Sequence, residues 1–483
     1  MGVEKMKKIY LILGAIILLT LSLQLINIHS GLDGFHNWKS THYLVVAEHF
    51  TEDGIAKHGL FVPRCYWTVE NNYTGIAQDN LPVYPMIVAG FFNLFGHSLE
   101  VARSVEITFH ILNILLMFLI VKTITKKQNL ALLTSFFYAL FPISIYFSQN
   151  IQNLSTGMFF VLVSVFSIYK WYQTDKYKYF AISIVFAVIG ILSYYTFAVV
   201  IPLMIGLLFP LKDFWRKSID TFFKKPVLYI GGLIVGILSL VSWQLHINNL
   251  LIMHDIQMGE IYFFNPEWWL KQMVFLKDNL GYVGMILFLL GIYFYQRENK
   301  LKTKHYLTIV LIIAFSVVMS RKTWFHQYHW YPLLPFVAVM TAYCAWFIIK
   351  QTKQNKKIPT ALGICFVFMI STLFVVIPTY DFKPAPGNSI AGEYIHEHYT
   401  NGSLMYSGAW SGQSFGVLWH SHIEGIRLPG NISELKTLEK RLNTKWIFIY
   451  IDYVNDDVFE YVRSNYNLVL EGKNYEWLLY QKT

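Results

Sequence analysis

The stretch KIYLILGAIILLTLSLQLIN, residues 8–27, decides the class of fold because it is a largely apolar run of about twenty residues. A helix of that length rises about 30 Å, the thickness of the hydrocarbon core of a bilayer. Lys5 and Lys7 precede the run and Lys8 begins it, but no small-residue cleavage site follows it. We therefore expect a retained first membrane helix rather than a cleaved signal peptide.

The composition of the whole chain indicates an integral membrane protein. Hydrophobic residues make up 55% of the 483 residues and charged residues only 14%, whereas soluble domains carry about 25% charged residues. The net charge of +10 comes from lysines clustered between apolar segments, the arrangement of cytoplasmic loops that lie against anionic lipid. We interpret the charge as a topology signal, and we expect membrane lipids rather than nucleic acid as partners.

Ten further apolar segments are each near the length that crosses the hydrocarbon core. We predict a polytopic α-helical membrane protein with about eleven transmembrane helices in the cell membrane. The predicted spans are residues 8–27, 104–121, 129–147, 154–170, 179–195, 197–211, 227–245, 281–296, 305–320, 331–349 and 358–378. With the N-terminus in the cytoplasm, every basic cluster between spans falls on the cytoplasmic side.

The segment LPVYPMIVAGFFNLFG, residues 81–96, is another apolar run, but we do not count it as a span. A crossing here would invert every later loop and move the basic clusters outside. Its two prolines and short length favour a helix half-inserted in the outer interface. The sequence thus predicts one large outer loop, residues 28–103, within a membrane domain of residues 1–378.

The composition changes after residue 378, and residues 379–483 predict a small soluble α/β domain outside the membrane. Capped amphipathic patterns predict helices at 431–442 and 455–464. The apolar run WIFIYID, 446–452, predicts a buried strand, and the stretch around Gly472 predicts a hairpin. The tail has no GxSxG pattern, so we expect no hydrolytic site there.

The three cysteines do not indicate redox or metal chemistry. Cys344 and Cys365 lie in apolar segments, and only Cys65 lies in a long loop. This arrangement predicts neither a disulfide framework nor a zinc site, and no other pattern supports a divalent metal or a bound cofactor.

Six stretches together resemble one family. They are DGFHNW with AEHF after the first span, FVPRCYW at 61–67, the proline-tyrosine stretch at 81–96, FPISIYFSQNIQN at 141–153, HQYHWYPLLP at 326–335, and NSIAGEYIHEH in the tail. Along most of its length the chain resembles the GT-C superfamily of polytopic glycosyltransferases, in the branch of protein mannosyltransferases and aminoarabinose transferases. The resemblance implies a GT-C fold and inverting transfer of a hexosyl or pentosyl unit from a polyprenyl-phosphate sugar, with no cofactor beyond that donor.

Asp33 lies in the ionisable segment GLDGFHNWKSTHYLVVAEHF, residues 31–50, which follows the first span. Sugar transfer from a lipid phosphate needs one general base for the acceptor hydroxyl, because the phosphate leaves without protonation. A carboxylate about six residues beyond the span would meet a lipid-borne donor at the membrane surface, so we predict Asp33 as this base. The alternative is a solvated turn, since Gly31, Asp33 and Gly34 are turn-forming residues.

The donor phosphate needs guanidinium, ammonium or imidazole groups on the outer face. The predicted outer loops hold Arg64, Arg321, Lys322, His326 and His329. The resemblance puts His326 first, because it matches the family's His-x-Tyr stretch, while His36 and Lys39 are weaker candidates. The alternative is that Arg321 and Lys322 are snorkelling interfacial residues and His326 a neighbour of the aromatic belt.

Glu106 and His110 are spaced i, i+4 within the second predicted span. Ionisable residues at that depth are costly unless they are paired or face a cavity. We therefore expect either a structural pair between the two side chains or a place in a cavity. Asp79 is a possible second carboxylate, with a solvated loop position as its alternative.

Three hypotheses of function remain open. The leading one is transfer of a sugar to a glycan, lipid or protein acceptor on the extracytoplasmic face. A transporter or lipid flippase is the second, although no internal repeat is visible and the ionisable residues concentrate in one outer loop. A catalytically silent relative is the third, because the chain lacks the acids that relatives carry after Trp38 and near Asn153.

Overall fold

The computed structural model describes residues 2–34, 36–57, 80–250, 261–298, 302–398, 402–408, 413–423 and 425–482. Its contacts divide the chain into two compact units. We call them the helical unit, made of Met1–Ile26, Asp79–Tyr84 and Arg103–Pro378, and the mixed unit, made of Asn27–Gln78, Pro85–Ala102 and Thr379–Thr483. The division into residues 1–378 and 379–483 stays a prediction.

Helices dominate the described residues. They are α1 Gly2–Leu25, α2 Asn37–Glu52, α3 Val83–Phe95, α4 Leu99–Thr125, α5 Gln128–Leu140, α6 Pro142–Phe147, α7 Leu154–Thr174, α8 Tyr177–Ser193, α9 Val200–Leu208, α10 Leu211–Lys224, α11 Pro226–Leu250, α12 Pro266–Glu298, α13 Lys302–Phe325, α14 Leu334–Gln351, α15 Lys357–Asp381, α16 Asn388–Glu397, α17 Phe415–Ser421, α18 Ile432–Leu442 and α19 Asp456–Asn465. The strands are β1 Ser403–Tyr406, β2 Gly425–Arg427, β3 Thr444–Tyr450, β4 Asn467–Glu471 and β5 Trp477–Gln481.

The predicted fold class is confirmed, but the count of eleven spans is not. In the described part of the chain, eight helices are long and apolar enough to cross a membrane, or nine if one bent pair is a single span. The predicted span 129–147 is interrupted because Phe141, which precedes Pro142, is extended, the conformation that a following proline favours. α3 has 13 residues, which rise only about 20 Å.

Glycines let neighbouring helices of the helical unit pack closely. α7 packs on α8, and α12 packs on α14. Gly291 of α12 lies directly against the main chain of α14, where an added Cβ would overlap the carbonyl oxygen of Met340. The two helices can approach this closely because Gly291 has no side chain.

The mixed unit contains a five-stranded sheet in the order β2-β1-β3-β5-β4. β1 pairs in parallel with β2 and β3, whereas β5 pairs antiparallel with β3 and β4. α18 and α19 cover a core that includes Leu435, Ile447 and Val462. These elements confirm the two helices, the buried strand and the hairpin predicted from the tail.

The start of α18 is fixed by a reciprocal cap. The Glu434 amide donates to the Asn431 side-chain oxygen over 2.9 Å, and the Asn431 amide nitrogen donates to the Glu434 carboxylate over 3.1 Å. The first bond satisfies an amide that the start of the helix leaves unpaired, as an N-cap does, and the second holds the capping side chain in place.

Glu48 is the centre of a titratable cluster in the mixed unit, where α2 packs on α17. Its carboxyl lies 3.8 Å from Nδ1 of His422, and the His422 ring lies 5.1 Å from the His396 ring. Burial is the main cause that raises the pKa of Glu48 to about 8, and repulsion by Glu52 adds to it, whereas the Trp419 indole beside the carboxyl opposes it.

We predict that Gly291→Ala lowers the thermal unfolding midpoint, because the new methyl group forces α12 and α14 apart at a cost of about 1–3 kcal/mol. Gly363→Ala in α15 is the matched control, since nothing lies within 4 Å of its added Cβ and alanine favours a helix by up to about 1 kcal/mol. Thermal unfolding in detergent measures both variants. Equal midpoints for the two would contradict the close packing.

We also predict a pH dependence from Glu48. Because its pKa is raised on folding, the protonated carboxyl stabilises the folded state below pH 4.5, and this stabilisation is lost as the pH rises to about 8. Glu48→Gln should remove that loss and unfold at a higher temperature than wild type at pH 8.5. Glu397→Gln, on the exposed side of α16, is the control. Parallel pH profiles for wild type and Glu48→Gln would contradict the prediction.

Candidate functional site

The predicted histidines of the helical unit lie in an aromatic stack before α14. The segment Gln327–Leu333 forms a short 3-10 helix. The ring of His326 stacks on Tyr328 at 5.3 Å, and Tyr328 lies 4.3 Å from His329. Nδ1 of His329 forms a hydrogen bond with the hydroxyl of Tyr194. His329 is buried and His326 is half-buried, so His326 is the more accessible of the two imidazoles.

Behind this stack, Glu106 of α4 binds the first turn of α7. Its carboxylate accepts hydrogen bonds from the amide of Ser155 at 2.7 Å, the amide of Thr156 at 3.2 Å and the Thr156 hydroxyl at 2.5 Å. The first amides of a helix have no partner within it, so the carboxyl oxygens of Glu106 satisfy two of them. The Ser155 hydroxyl lies 3.3 Å from that of Tyr331, which links the carboxylate to the histidine segment.

The expected pair between Glu106 and His110 is wrong. The two side chains have the right spacing, but the free amides of α7 are better partners for the carboxylate. The His110 ring instead stacks on Tyr138 at 5.6 Å. A place for Glu106 in a substrate cavity stays a prediction.

The C-terminal end of α8 holds a further stretch in the same region. The Leu81 amide donates to the carbonyl oxygen of Leu192 over 2.8 Å, and the Asn153 side chain donates to the carbonyl of Ser193. The next residue is Tyr194, the partner of His329. The end of α8, residues 192–194, therefore holds the beginning of the proline-tyrosine stretch, the Asn153 stretch and His329. Asp79 and Arg64 lie outside the described residues.

Arg321 and Lys322 lie in the last turns of α13, which the Trp268 side chain of α12 fixes. The Trp268 indole donates to the carbonyl oxygen of Ser320 over 2.9 Å, and the Trp330 indole donates to Gln272 over 2.7 Å. Trp268 is fully buried. Arg321 is half-buried and Lys322 exposed, and their phosphate role stays a prediction.

Asp33 lies in the mixed unit at the start of α16. Its Oδ1 accepts a hydrogen bond from the amide of Ser389 over 3.1 Å, and the Ser389 hydroxyl accepts one from the amide of Leu32 over 3.0 Å. Gly387 precedes α16 with a φ of 86°, a conformation that glycine adopts without strain. Asp33 thus lies in a turn that is tied to a helix N-terminus, and its side chain is half-buried.

Burial raises the pKa of the Asp33 carboxyl above its usual value, and the hydrogen bonds from Ser389 and the charge of Lys383 partly offset that rise. His36 precedes α2 in a left-handed conformation, with a φ of 63°, and is buried. Lys39 lies in the first turn of α2 and is half-buried. Within the described residues, no group of three His, Cys, Asp or Glu side chains is placed to hold a metal ion.

Comparisons with known proteins show which proteins this chain is similar to. Residues 79–244 match the family model described as dolichyl-phosphate-mannose-protein mannosyltransferase, a stretch that includes Glu106, Asn153 and Tyr194. No curated protein matches the sequence.

Two solved structures of ArnT from Cupriavidus metallidurans are similar to this chain over nearly its full length. The structure bound to undecaprenyl phosphate has a TM-score of 0.58 and the apo structure one of 0.63, each at 10% sequence identity. Each comparison covers 96% of this chain and 97% of the ArnT chain. The chain therefore has a fold similar to that of ArnT, and the two findings together support the resemblance to the GT-C branch of polytopic glycosyltransferases.

Proposed function

We propose that this chain is a membrane glycosyltransferase that moves a sugar from a polyprenyl-phosphate donor to an acceptor outside the cell membrane. The observation that carries the proposal is that two independent comparisons, one of sequence and one of fold, agree. The mannosyltransferase model matches residues 79–244, and the fold along the chain is that of ArnT, which binds undecaprenyl phosphate. The acceptor is a glycan, a lipid or a protein, and the N-terminus is cytoplasmic with the C-terminal residues outside.

In the proposed reaction Asp33 is the general base. It takes the proton of the acceptor hydroxyl as the oxygen attacks the anomeric carbon, and the bond from that carbon to the phosphate oxygen breaks, so the reaction inverts the anomeric configuration. Two features of Asp33 support this role. Burial raises its pKa, which makes the carboxylate a stronger base, and the amide of Ser389 holds one oxygen in place.

His326 is the proposed contact for the donor phosphate. Its ring is stacked on Tyr328 and half-buried, so it presents a fixed polar edge. Charge on the phosphate oxygen grows as the sugar leaves, and an imidazole donor therefore binds the transition state more strongly than the ground state. Arg321 and Lys322 add positive charge in the preceding turns of α13.

Two other functions remain possible outcomes of a transfer assay. A transporter or flippase would move the lipid across the bilayer and leave its sugar attached. A catalytically silent relative would bind the donor without turning it over. Release of polyprenyl phosphate by the purified chain separates sugar transfer from both.

We expect Asp33→Asn to lower the rate of sugar transfer by about 10²- to 10⁴-fold, because the amide keeps the shape but cannot accept the proton. Donor affinity and the thermal unfolding midpoint should change little, since the oxygen of the new side-chain amide still accepts from Ser389. The rate of transfer to a soluble acceptor analogue is the measurement. Asp452→Asn, at an exposed position of the same unit, is the control. Near-normal turnover by Asp33→Asn would remove Asp33 as the base.

We expect His326→Ala to weaken binding of the polyprenyl-phosphate donor and also to slow the chemical step, because it removes a donor to the phosphate. Binding measured on the purified chain gives the affinity per folded molecule. His246→Ala is the matched control, since His246 also packs on an aromatic ring, 5.6 Å from Trp243. A histidine held only for packing would lower the folded yield and leave donor affinity unchanged, which would exclude His326 from the site.

A further inference from the structure

α10, with the sequence LKDFWRKSIDTFFK, runs across the ends of two apolar helices instead of continuing either one. It makes an angle of 117° with the preceding helical segment Tyr195–Leu208. Phe209 is extended before Pro210, which ends the preceding helix. Only Lys225 separates α10 from α11, which begins at Pro226. A helix joined this closely to apolar helices at both ends must lie where they leave the membrane.

One side of α10 is fixed against the helical unit. Phe214 is buried and packs edge-on against Phe209 at 5.2 Å and Trp171 at 6.3 Å. The ammonium group of Lys217 lies 2.6 Å from the Asp175 carboxylate and donates to the carbonyl oxygen of Tyr172. These contacts set the rotation of α10 about its own axis and therefore decide which side chains point away from the protein.

The outward side of α10 is aromatic and apolar. Trp215 is 55% exposed, Ile219 53%, Phe222 40% and Phe223 76%. Large apolar side chains in such a row favour transfer out of water, and tryptophan is enriched where a membrane meets water. An amphipathic helix of this kind lies in the plane of the interface with its apolar face at the acyl boundary.

Of the four basic residues of α10, two share the side of the aromatic face, whereas Lys217 and Lys224 do not. Residues seven apart lie almost two turns apart on the same side of a helix, so Lys212 is aligned with Ile219 and Arg216 with Phe223. Lys224 follows Trp215 by nine residues, or two and a half turns, and therefore lies on the opposite side. Arg216 also lies 3.3 Å from Asp213, but both are exposed, and exposed ion pairs of this kind are weak.

We propose that α10 is an in-plane anchor for anionic phospholipid, with Trp215, Ile219, Phe222 and Phe223 in the acyl boundary and with Lys212 and Arg216 on the lipid phosphates. Charge complementarity selects this occupant, because the basic side chains border the apolar face at headgroup level. Zwitterionic lipid can also bury the apolar face, but it has no net negative charge to pair with Lys212 and Arg216. This role does not depend on the proposed sugar transfer.

The insertion is tested on the full chain in lipid nanodiscs with a nitroxide label on a single cysteine. Cys65, Cys344 and Cys365 are replaced by alanine, and the label is placed by Phe223→Cys or, as the matched control, by Lys224→Cys. We expect the label at 223 to collide with oxygen and the label at 224 with a water-soluble nickel complex. Equal exposure of both labels to nickel, or a label at 223 hidden from both reagents by another protein molecule, would overturn the proposal.

The lipid preference is tested with a fluorophore at position 223 in the same background. Quenching by a spin-labelled phosphatidylglycerol is compared with quenching by spin-labelled phosphatidylcholine at the same mole fraction. We expect the anionic lipid to be enriched beside the label, and Lys212→Gln and Arg216→Gln each to reduce the enrichment about fivefold at low salt, less as salt screens the charges.

Lys224→Gln is the control for that preference, since its charge lies on the opposite side of α10. It should leave the enrichment unchanged. Equal quenching by the two lipids in wild type, or the same loss in Lys224→Gln as in Lys212→Gln, would contradict the anionic site. Sugar transfer is not the readout, so a failure here is distinguishable from a failure of the proposed function.

Discussion

A carboxylate within an apolar helix must find its hydrogen-bond donors inside the protein, because the hydrocarbon supplies none. Glu106 finds them in the amides of Ser155 and Thr156, and the organisation of the candidate site in the helical unit depends on this contact. It ties α4 to the beginning of α7, and through Ser155 and Tyr331 it ties both to the segment that carries His326 and His329. Removal of the carboxylate would leave two helix amides without partners in a place that water does not easily reach.

In the mixed unit, Asp33 likewise places a carboxyl group at the start of a helix. The two sites differ in their exposure. Glu106 is completely buried and its oxygens are occupied by hydrogen bonds, whereas Asp33 is half-buried, so its carboxylate is accessible from outside the protein. This contrast supports the proposal that Asp33 is the general base, whereas the contacts of Glu106 are those of a residue that positions its neighbours.

The sequence predicted the features that depend on local pattern. The membrane class follows from apolar runs such as residues 8–27, and α18 follows from the capping pair Asn431 and Glu434. Features that depend on distant partners could not be predicted. Ser389 is far from Asp33 along the chain, and the i, i+4 spacing of Glu106 and His110 pointed to the wrong pair because the competing amides belong to another helix. The bend into α10 had a visible signal in Pro210 and in the amphipathic pattern that follows, but its basic residues were interpreted only as a loop.

The most direct test of sugar transfer is to incubate the purified full-length chain with polyprenyl-phosphate sugars extracted from bacterial membranes, together with an acceptor-containing envelope fraction, and to measure polyprenyl phosphate by mass spectrometry. The account predicts that wild type releases polyprenyl phosphate as glycosylated acceptor appears. It also predicts that Asp33→Asn binds the donor but releases no polyprenyl phosphate. The account would be contradicted if the donor stays intact in the presence of folded wild-type protein, or if both proteins release equal amounts of polyprenyl phosphate.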